Sequence, residues 1–308
     1  MSNTIAINKT HANSDYSEYV YKLPNVMTFT EFDEIAFVSA NVNYSWFNIS
    51  EQLKNNIFSY KWFSTTANQL LDYSITITDG YYSLVSLNEF LITSFVFRGH
   101  ALKYAETGKS EVTKIYIEIL PNANYYASQF KVYALPNATN STGALPSGFS
   151  YITSSDTVNF PAWYAPISTA ANKAPKVNIL STNNFRIFTG FNTGLYPSGN
   201  YTNATTPYSV VSQNAPMVEN ISEVFIYCNL IKNIYSQDDS FFYSFSPAGY
   251  SIGESIIVNP NFLRYDHINA GQYQYIKLKI TDQDGNTISM KEPFSSIQLS
   301  ITNKKNYR

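Results

Sequence analysis

Short segments in which apolar and polar residues alternate make up most of the chain after residue 33. In residues 71–80, for example, Tyr73, Ile75 and Ile77 fall on one face of an extended segment. A period of two is typical of a half-buried β-strand. Comparable segments, rich in β-branched and aromatic residues, lie at 34–50, 55–64, 111–120, 126–135, 223–231, 240–245, 251–260, 273–290 and 295–302. The pattern therefore predicts an all-β chain built from many short strands.

One segment departs from this alternation. In residues 79–97, leucine and phenylalanine side chains recur at helical spacing from Leu84 to Leu91, and an Asp-Gly pair at 79–80 stands just before them. Such spacing is typical of the apolar face of an amphipathic helix. The sequence thus predicts one short helix after an early strand.

Three stretches lack a strand pattern. Residues 1–30 are polar and irregular, which favours an extended N-terminal arm, disordered alone or ordered against a partner. Residues 136–175 are rich in Asn, Thr, Ser, Ala, Gly and Pro, and we interpret them as a loop-rich insertion. Residues 190–216 are also loop-like. Because no repeat of about 20–50 residues is visible, the pattern favours an all-β sandwich or barrel over a propeller or solenoid.

Composition supports the β prediction and excludes several functional classes. Only 14% of the 308 residues are charged and 16% are aromatic, whereas typical soluble domains have about 25% charged residues. A net charge of −2 provides no basic field for nucleic acid. The N-terminal segment lacks the basic and apolar regions of a signal peptide, and no apolar run approaches the roughly 20 residues that span a membrane. We therefore expect a soluble protein, made without secretion, that binds neither nucleic acid nor membrane directly.

Few residues are arranged as catalysis would require. Cys228, the only cysteine, lies on the apolar face of the 223–231 strand, so we interpret it as core packing. His11, His100 and His267 are far apart in sequence, and a single cysteine excludes a Cys/His zinc site. The segment DQDGN at 282–286 lacks the Gly and Glu that an EF-hand loop requires, and it is predicted to form a hairpin turn. We predict no catalytic residue, no cofactor and no metal site, and we do not expect an enzyme.

Two segments together resemble a known protein family. Residues 77–91 (ITDGYYSLVSLNEFL) join a strand that ends in Asp-Gly to an amphipathic helix, and residues 222–290 form a strand ladder that ends in an Asp-x-x-Gly hairpin. This combination resembles the vertical jelly-roll capsid proteins of the adenovirus-like lineage, which includes virophages and polinton-like viruses. The chain is shorter than the double jelly-roll major capsid proteins and is most similar to the single jelly-roll penton, a minor capsid protein, of virophages. The resemblance covers residues 31–135 and 176–302, and residues 136–175 have no counterpart in it.

The resemblance implies a jelly-roll β-sandwich of two antiparallel sheets, in which residues 31–308 are a single domain that carries the 136–175 insertion. It also implies a structural protein of the virion. Such a penton forms a homopentamer at the icosahedral vertices, contacts the major capsid protein, and is made in the cytoplasm of an infected cell. The residues that carry the family-like signature are Asp79, Gly80, Tyr82, Leu87, Tyr227, Asn229, Asp284 and Gly285.

Three functional classes stay open on the sequence. The first is the capsid jelly roll, as a penton or in another minor capsid role. The second is a receptor- or carbohydrate-binding β-sandwich such as a fibre head, for which Trp163 and Tyr164 of the insertion are candidate ligand contacts. The third is an enzyme on a jelly-roll scaffold, which requires clustered histidines and acids that the sequence does not show. The assembly number stays open as well, because strand patterns do not encode symmetry.

Overall fold

The computed structural model describes residues 3–64, 69–98, 100–106, 111–135, 149–151, 174–203, 206–231, 240–292 and 295–304. These residues form antiparallel β-sheets and two α-helices, so the predicted all-β class is confirmed. The chain divides into two compact units. Unit 1 contains residues Met1–Phe47 and Ile221–Arg308, and unit 2 contains residues Asn48–Asn220.

The strands and helices have the following bounds in chain order. They are β1 (Asn3–Asn8), β2 (Glu18–Phe29), β3 (Asp33–Asn43), β4 (Ile57–Ser64), β5 (Gln69–Thr76), α1 (Leu84–Phe97), β6 (Leu102–Glu106), β7 (Glu111–Lys114), β8 (Ile117–Asn122), β9 (Ala127–Val132), β10 (Phe149–Tyr151), β11 (Lys176–Ile179), α2 (Phe185–Thr189), β12 (Gly194–Tyr196), β13 (Tyr208–Val211), β14 (Val224–Cys228), β15 (Phe241–Phe245), β16 (Ser255–Val258), β17 (Tyr265–His267), β18 (Gly271–Asp282) and β19 (Ser296–Asn303).

Unit 1 is a β-sandwich of two antiparallel sheets. Sheet 1 has the strand order β1-β19-β3-β16, with β17 also paired to β3, and sheet 2 has the order β15-β14-β18-β2. In the central strands of sheet 2, β14 and the second half of β18, alternate residues are buried, which is the arrangement that the period-two pattern predicted. Phe37 of sheet 1 stacks on Tyr243 of sheet 2, with ring centroids 4.1 Å apart. Unit 1 is therefore consistent with the predicted jelly-roll sandwich.

Unit 2 contains three antiparallel sheets and both α-helices. The strand orders are β12-β11-β4-β5, β13-β9-β8 and β10-β6-β7. Its core is rich in aromatic rings, and Phe58 of β4 meets Phe95 of α1 edge to face at 6.0 Å. Helix α1 is also attached to β8 by a buried hydrogen bond, in which the Ile119 amide donates to the side-chain oxygen of Asn88 over 2.9 Å.

Helix α1 confirms the predicted helix, and Ser83 is its N-terminal cap. The Ser83 hydroxyl accepts a hydrogen bond from the Ser86 amide at 3.1 Å, and the Ser86 hydroxyl accepts one from the Ser83 amide at 2.9 Å. This reciprocal pair satisfies two amides that the first helical turn leaves without backbone partners. Leu84, Leu87 and Leu91 form the buried face, as their spacing predicted.

The prediction of an N-terminal arm was wrong for the described part of residues 1–30. Strand β1 pairs with β19 over six residues, and strand β2 pairs with β18 from Glu18 to Phe29. Both strands lie at the edge of a sheet, where one margin meets solvent and polar residues are tolerated. These two segments are therefore edge strands, although their sequences lack a clear strand pattern.

The remaining domain predictions have mixed outcomes. The contacts group residues 48–220 apart from both flanking segments, and the assignment of 31–308 to a single domain stays a prediction. Most of the predicted 136–175 insertion lies outside the described residues. The loop-like stretch 190–216 contains the short strands β12 and β13, which pair with β11 and β9. Among the described residues, no helix combines the length and apolar character needed to cross a membrane.

Candidate functional site

The first half of the family-like signature surrounds Asn48, a buried residue at the start of unit 2. Its side-chain oxygen accepts a hydrogen bond from the Tyr82 amide at 2.7 Å. Its side-chain nitrogen donates to the carbonyls of Tyr82 and Val218, at 2.7 and 3.0 Å. We call Asn48, Tyr82 and Val218 the Asn48 hub. The hub joins the signature segment to the last residues of unit 2.

Asp79 and Gly80 close the chain beside this hub. The Asp79 carboxylate accepts a hydrogen bond from the Glu51 amide at 3.0 Å. Gly80 and Ile49 exchange two backbone hydrogen bonds, of 2.9 and 3.1 Å. A Cβ atom at Gly80 would lie only 3.0 Å from a ring carbon of Tyr82, so glycine allows the ring to fold over the backbone. Both residues thus serve chain closure.

The second half of the signature extends the pairing of β14 with β18 in unit 1. The Asn229 amide donates to the Lys277 carbonyl at 3.1 Å, and the Asn229 side-chain oxygen accepts from the Lys277 amide at 2.7 Å. The Asn229 side-chain nitrogen donates to the Tyr275 carbonyl at 3.3 Å. Asn229 therefore continues the pairing of β14 with β18 by one more residue. Tyr227, two residues earlier, contacts the Phe241 ring at a centroid distance of 6.2 Å.

Asp284 and Gly285 form the predicted turn after β18. The Asp282 carboxylate accepts hydrogen bonds from the amides of Asp284 and Asn286, at 2.9 and 2.8 Å. Gly285 has a φ of +81°, a left-handed conformation that favours glycine. Beyond the turn, pairing continues as an isolated bridge rather than as a strand. The carboxylate that suggested a calcium loop is hydrogen-bonded to the turn's own backbone.

The signature is divided between the two units. Asp79, Gly80, Tyr82 and the buried Leu87 belong to unit 2, and the other four residues belong to unit 1. Sequence reasoning did not identify Asn48, because nothing in its local pattern distinguishes it from the other asparagines of the chain. Trp163 and Tyr164 lie outside the described residues.

Cys228 is fully buried in the core of unit 1. Burial raises the pKa of its thiol to about 12. Only a thiolate is an effective nucleophile, so the thiol is inert near neutral pH. The interpretation of Cys228 as a core residue is confirmed.

His100 belongs to an aromatic cluster in unit 2. Its Nδ1 lies 2.7 Å from the Tyr60 hydroxyl, and its ring stacks on Trp62 and meets Tyr73 edge to face, both at 4.6 Å between centroids. Burial, followed by the positive charge of Arg98, lowers the pKa of His100 to about 4. The ring is therefore neutral at pH 7, and its contacts are those of a packed core residue.

The other two histidines, His11 and His267, belong to unit 1. His11 accepts a hydrogen bond from the Asn8 amide at 3.2 Å, and His267 lies 3.6 Å from the Glu34 carboxylate. Within the described ranges, no group of three or more His, Cys, Asp and Glu side chains is placed to hold a metal ion.

Neither a family model nor a curated protein matches the sequence. Among solved structures, the chain is similar to the mavirus penton protein, with a TM-score of 0.42 and 12% identity, over 98% of this chain and 97% of that chain.

Proposed function

We propose that this chain is a structural viral capsid protein, the penton that forms a pentamer at the icosahedral vertices and contacts the neighbouring major capsid protein. The observation that carries the proposal is how the signature residues are used. Asp79 and Gly80 close the chain, Asn229 extends a ladder, Gly285 permits a turn, and Leu87 fills a core. The signature residues therefore stabilise the fold, which is the role expected of them in a structural protein whose folded surfaces assemble into a shell.

Composition supports the same proposal. Aromatic residues are more frequent than charged residues, at 16% against 14%. Aromatic side chains are enriched at the centres of protein–protein interfaces, and charged side chains are depleted there. A protein that makes wide contacts with several neighbours would have this balance.

The symmetry of the purified protein in negative-stain electron microscopy tests the proposal. We expect ring-shaped particles with five-fold rotational symmetry. Three-fold particles would contradict a vertex role and favour a fibre head or a major-capsid-like building block. Co-expression with the major capsid protein of the same virus should then place this chain at the vertices of assembled particles. Its presence on the faces instead would contradict the penton role.

A receptor- or carbohydrate-binding role is the second candidate, and one observation favours it. Tyr125 and Tyr126, at the tip of the β8–β9 hairpin, are 74% and 78% exposed. Amide side chains lie next to this tip, where the Asn122 side chain donates to the Gln129 side chain over 3.1 Å. Exposed tyrosines beside amides are typical of adaptable recognition surfaces. A glycan array tests this role: binding that Tyr125→Ser abolishes and Phe97→Ser preserves would support it, and an array without specific binding would contradict it.

A further inference from the structure

The exposed large apolar side chains in the described residues of unit 1 fall into two groups by their place in the chain: one on the paired strands β2 and β18, and one between residues 250 and 265. The β2–β18 patch consists of Val20, Val26, Met27 and Tyr275. The 250–265 patch consists of Tyr250, Ile252, Ile257, Phe262, Leu263 and Tyr265. Clustered apolar side chains on a surface indicate an interaction site, whereas scattered ones do not.

The two patches lie at opposite edges of the sandwich. Strand β2 is the edge of sheet 2, and it contacts β1, the edge of sheet 1. At the other edge, Arg264 donates to the carbonyl of Phe242 in β15, at 3.5 Å, which brings the 250–265 segment next to the far strand of sheet 2. Each copy of unit 1 therefore presents a different apolar surface on each side.

The 250–265 patch has features of a receiving surface. Phe262 is 88% exposed, and beside it lies a groove lined mainly by Phe37, Phe242, Tyr243 and Pro260. Arg264 at the groove donates to the Asp266 carboxylate over 3.1 Å, so the charges there are already paired. Four of the residues that line this groove are apolar or aromatic, as are the exposed side chains of the β2–β18 patch.

The charges beside the two patches are complementary. The outward positions of β2 and β18 carry three lysines, Lys22, Lys277 and Lys279, and one acidic residue, Glu18. The Glu18 carboxylate forms an ion pair with Lys277 at 2.9 Å. In the 250–265 segment the exposed Glu254 adds a negative charge beyond the paired Arg264 and Asp266. Complementary charges favour the contact of unlike patches over the contact of like ones.

We propose that the β2–β18 patch of one copy packs against the 250–265 patch of the next copy. This interface rests on the proposed capsid function and names the surfaces that the ring would use. A contact between two different surfaces is heterologous, and it closes a ring when the rotation between copies divides the circle. The partner that both patches fit is thus a second copy of this chain.

Site-directed cross-linking tests the interface, because the single native cysteine, Cys228, is buried and inert. We would replace Val26 and Ile257, which are 54% and 60% exposed, by cysteine. With a short bismaleimide, the double variant V26C/I257C should give a covalent series of two, three and more copies on a denaturing gel. Each single variant should stay uncoupled, and an equal mixture of the two should give pairs only.

The outcomes separate the interface from the proposed function. A single variant that links to itself would show a two-fold contact between like patches and overturn the inference. A native multimer by light scattering that gives no link between the two positions would also overturn it, and would leave the capsid proposal standing. Links in a multimer that does not contain five copies would support the interface and contradict the pentamer.

A second set of variants tests the patches without cysteine chemistry. Ile257→Asp should weaken self-association at least tenfold in sedimentation experiments, with an unchanged melting temperature. Phe97→Asp is the matched control, because Phe97 is 74% exposed and lies in unit 2, outside both patches. Lys22→Glu and Glu254→Lys should each weaken association, and the double variant should restore it. If the double variant associates more weakly than either single variant, the β2–β18 patch does not contact the 250–265 patch of the next copy, and the inference is overturned.

Discussion

Replacement of Asn48 by alanine should destabilise unit 2 strongly. The side chain is almost fully buried and makes three hydrogen bonds to backbone groups of Tyr82 and Val218. Alanine at this position leaves one amide and two carbonyls without these partners. A buried polar group that loses its partner costs about 1–3 kcal/mol.

Because these groups are partly buried, we take about 1 kcal/mol for each, which gives about 3 kcal/mol for the Asn48→Ala variant. In a unit of this size, 1 kcal/mol corresponds to about 2–4 °C in melting temperature, so the expected decrease is about 6–12 °C. Asn48→Asp should be at least as destabilising, since a carboxylate would face two carbonyl oxygens and add a buried charge.

Urea unfolding followed by tryptophan fluorescence measures this effect, because the buried Trp62 lies in unit 2. Asn124→Ala is the matched control: Asn124 is exposed in the same unit, and its replacement should change the unfolding free energy by less than about 0.5 kcal/mol. If the unfolding free energy of Asn48→Ala is within this margin of that of the natural protein, the Asn48 hub does not hold the unit together.

Three other predictions follow from single residues. The pKa of His100 is lowered from its usual 6.5 to about 4, so the unfolded chain binds the proton more readily, and stability should fall as the pH decreases from about 6.5 to about 4. After allowance for partial exposure, the free energy of unfolding should fall by about 2 kcal/mol over this pH range. Denaturation measured at several pH values should show a smaller decrease in the His100→Gln variant. Tyr126 has a φ of +48°, which costs a non-glycine residue about 1 kcal/mol, so Tyr126→Gly should raise the melting temperature; a decrease would show that the ring packs. Cys228 should resist iodoacetamide in the native protein and react only in denaturant, as mass spectrometry would show; rapid native alkylation would contradict its burial.

The strands that the sequence predicted best are central strands of a sandwich. In β14 and β18 one face is buried and the other is partly exposed, so that the apolar residues at 224, 226 and 228 alternate clearly. The helix was equally visible, because Leu84, Leu87 and Leu91 pack on one side. When one face of a strand or helix is buried, apolar residues recur at a regular spacing along the sequence, and this spacing can be recognised without a structure.

The features that the sequence missed depend on distant partners. Strands β1 and β2 lie at sheet edges, where weak alternation is tolerated, and their partners β19 and β18 lie near the other end of the chain. Asn48 bonds to residues 34 and 170 positions away, and no local signal marks such contacts. The division after residue 47 falls inside a stretch whose composition does not change, so the boundary of unit 2 was not predictable.

The mass of the purified protein in solution, measured by light scattering on a size-exclusion column, distinguishes a pentamer from every other assembly. The capsid vertex proposal predicts a mass five times the 34.8 kDa of one chain. A mass three times that of the chain, or a single chain at every concentration measured, would contradict it.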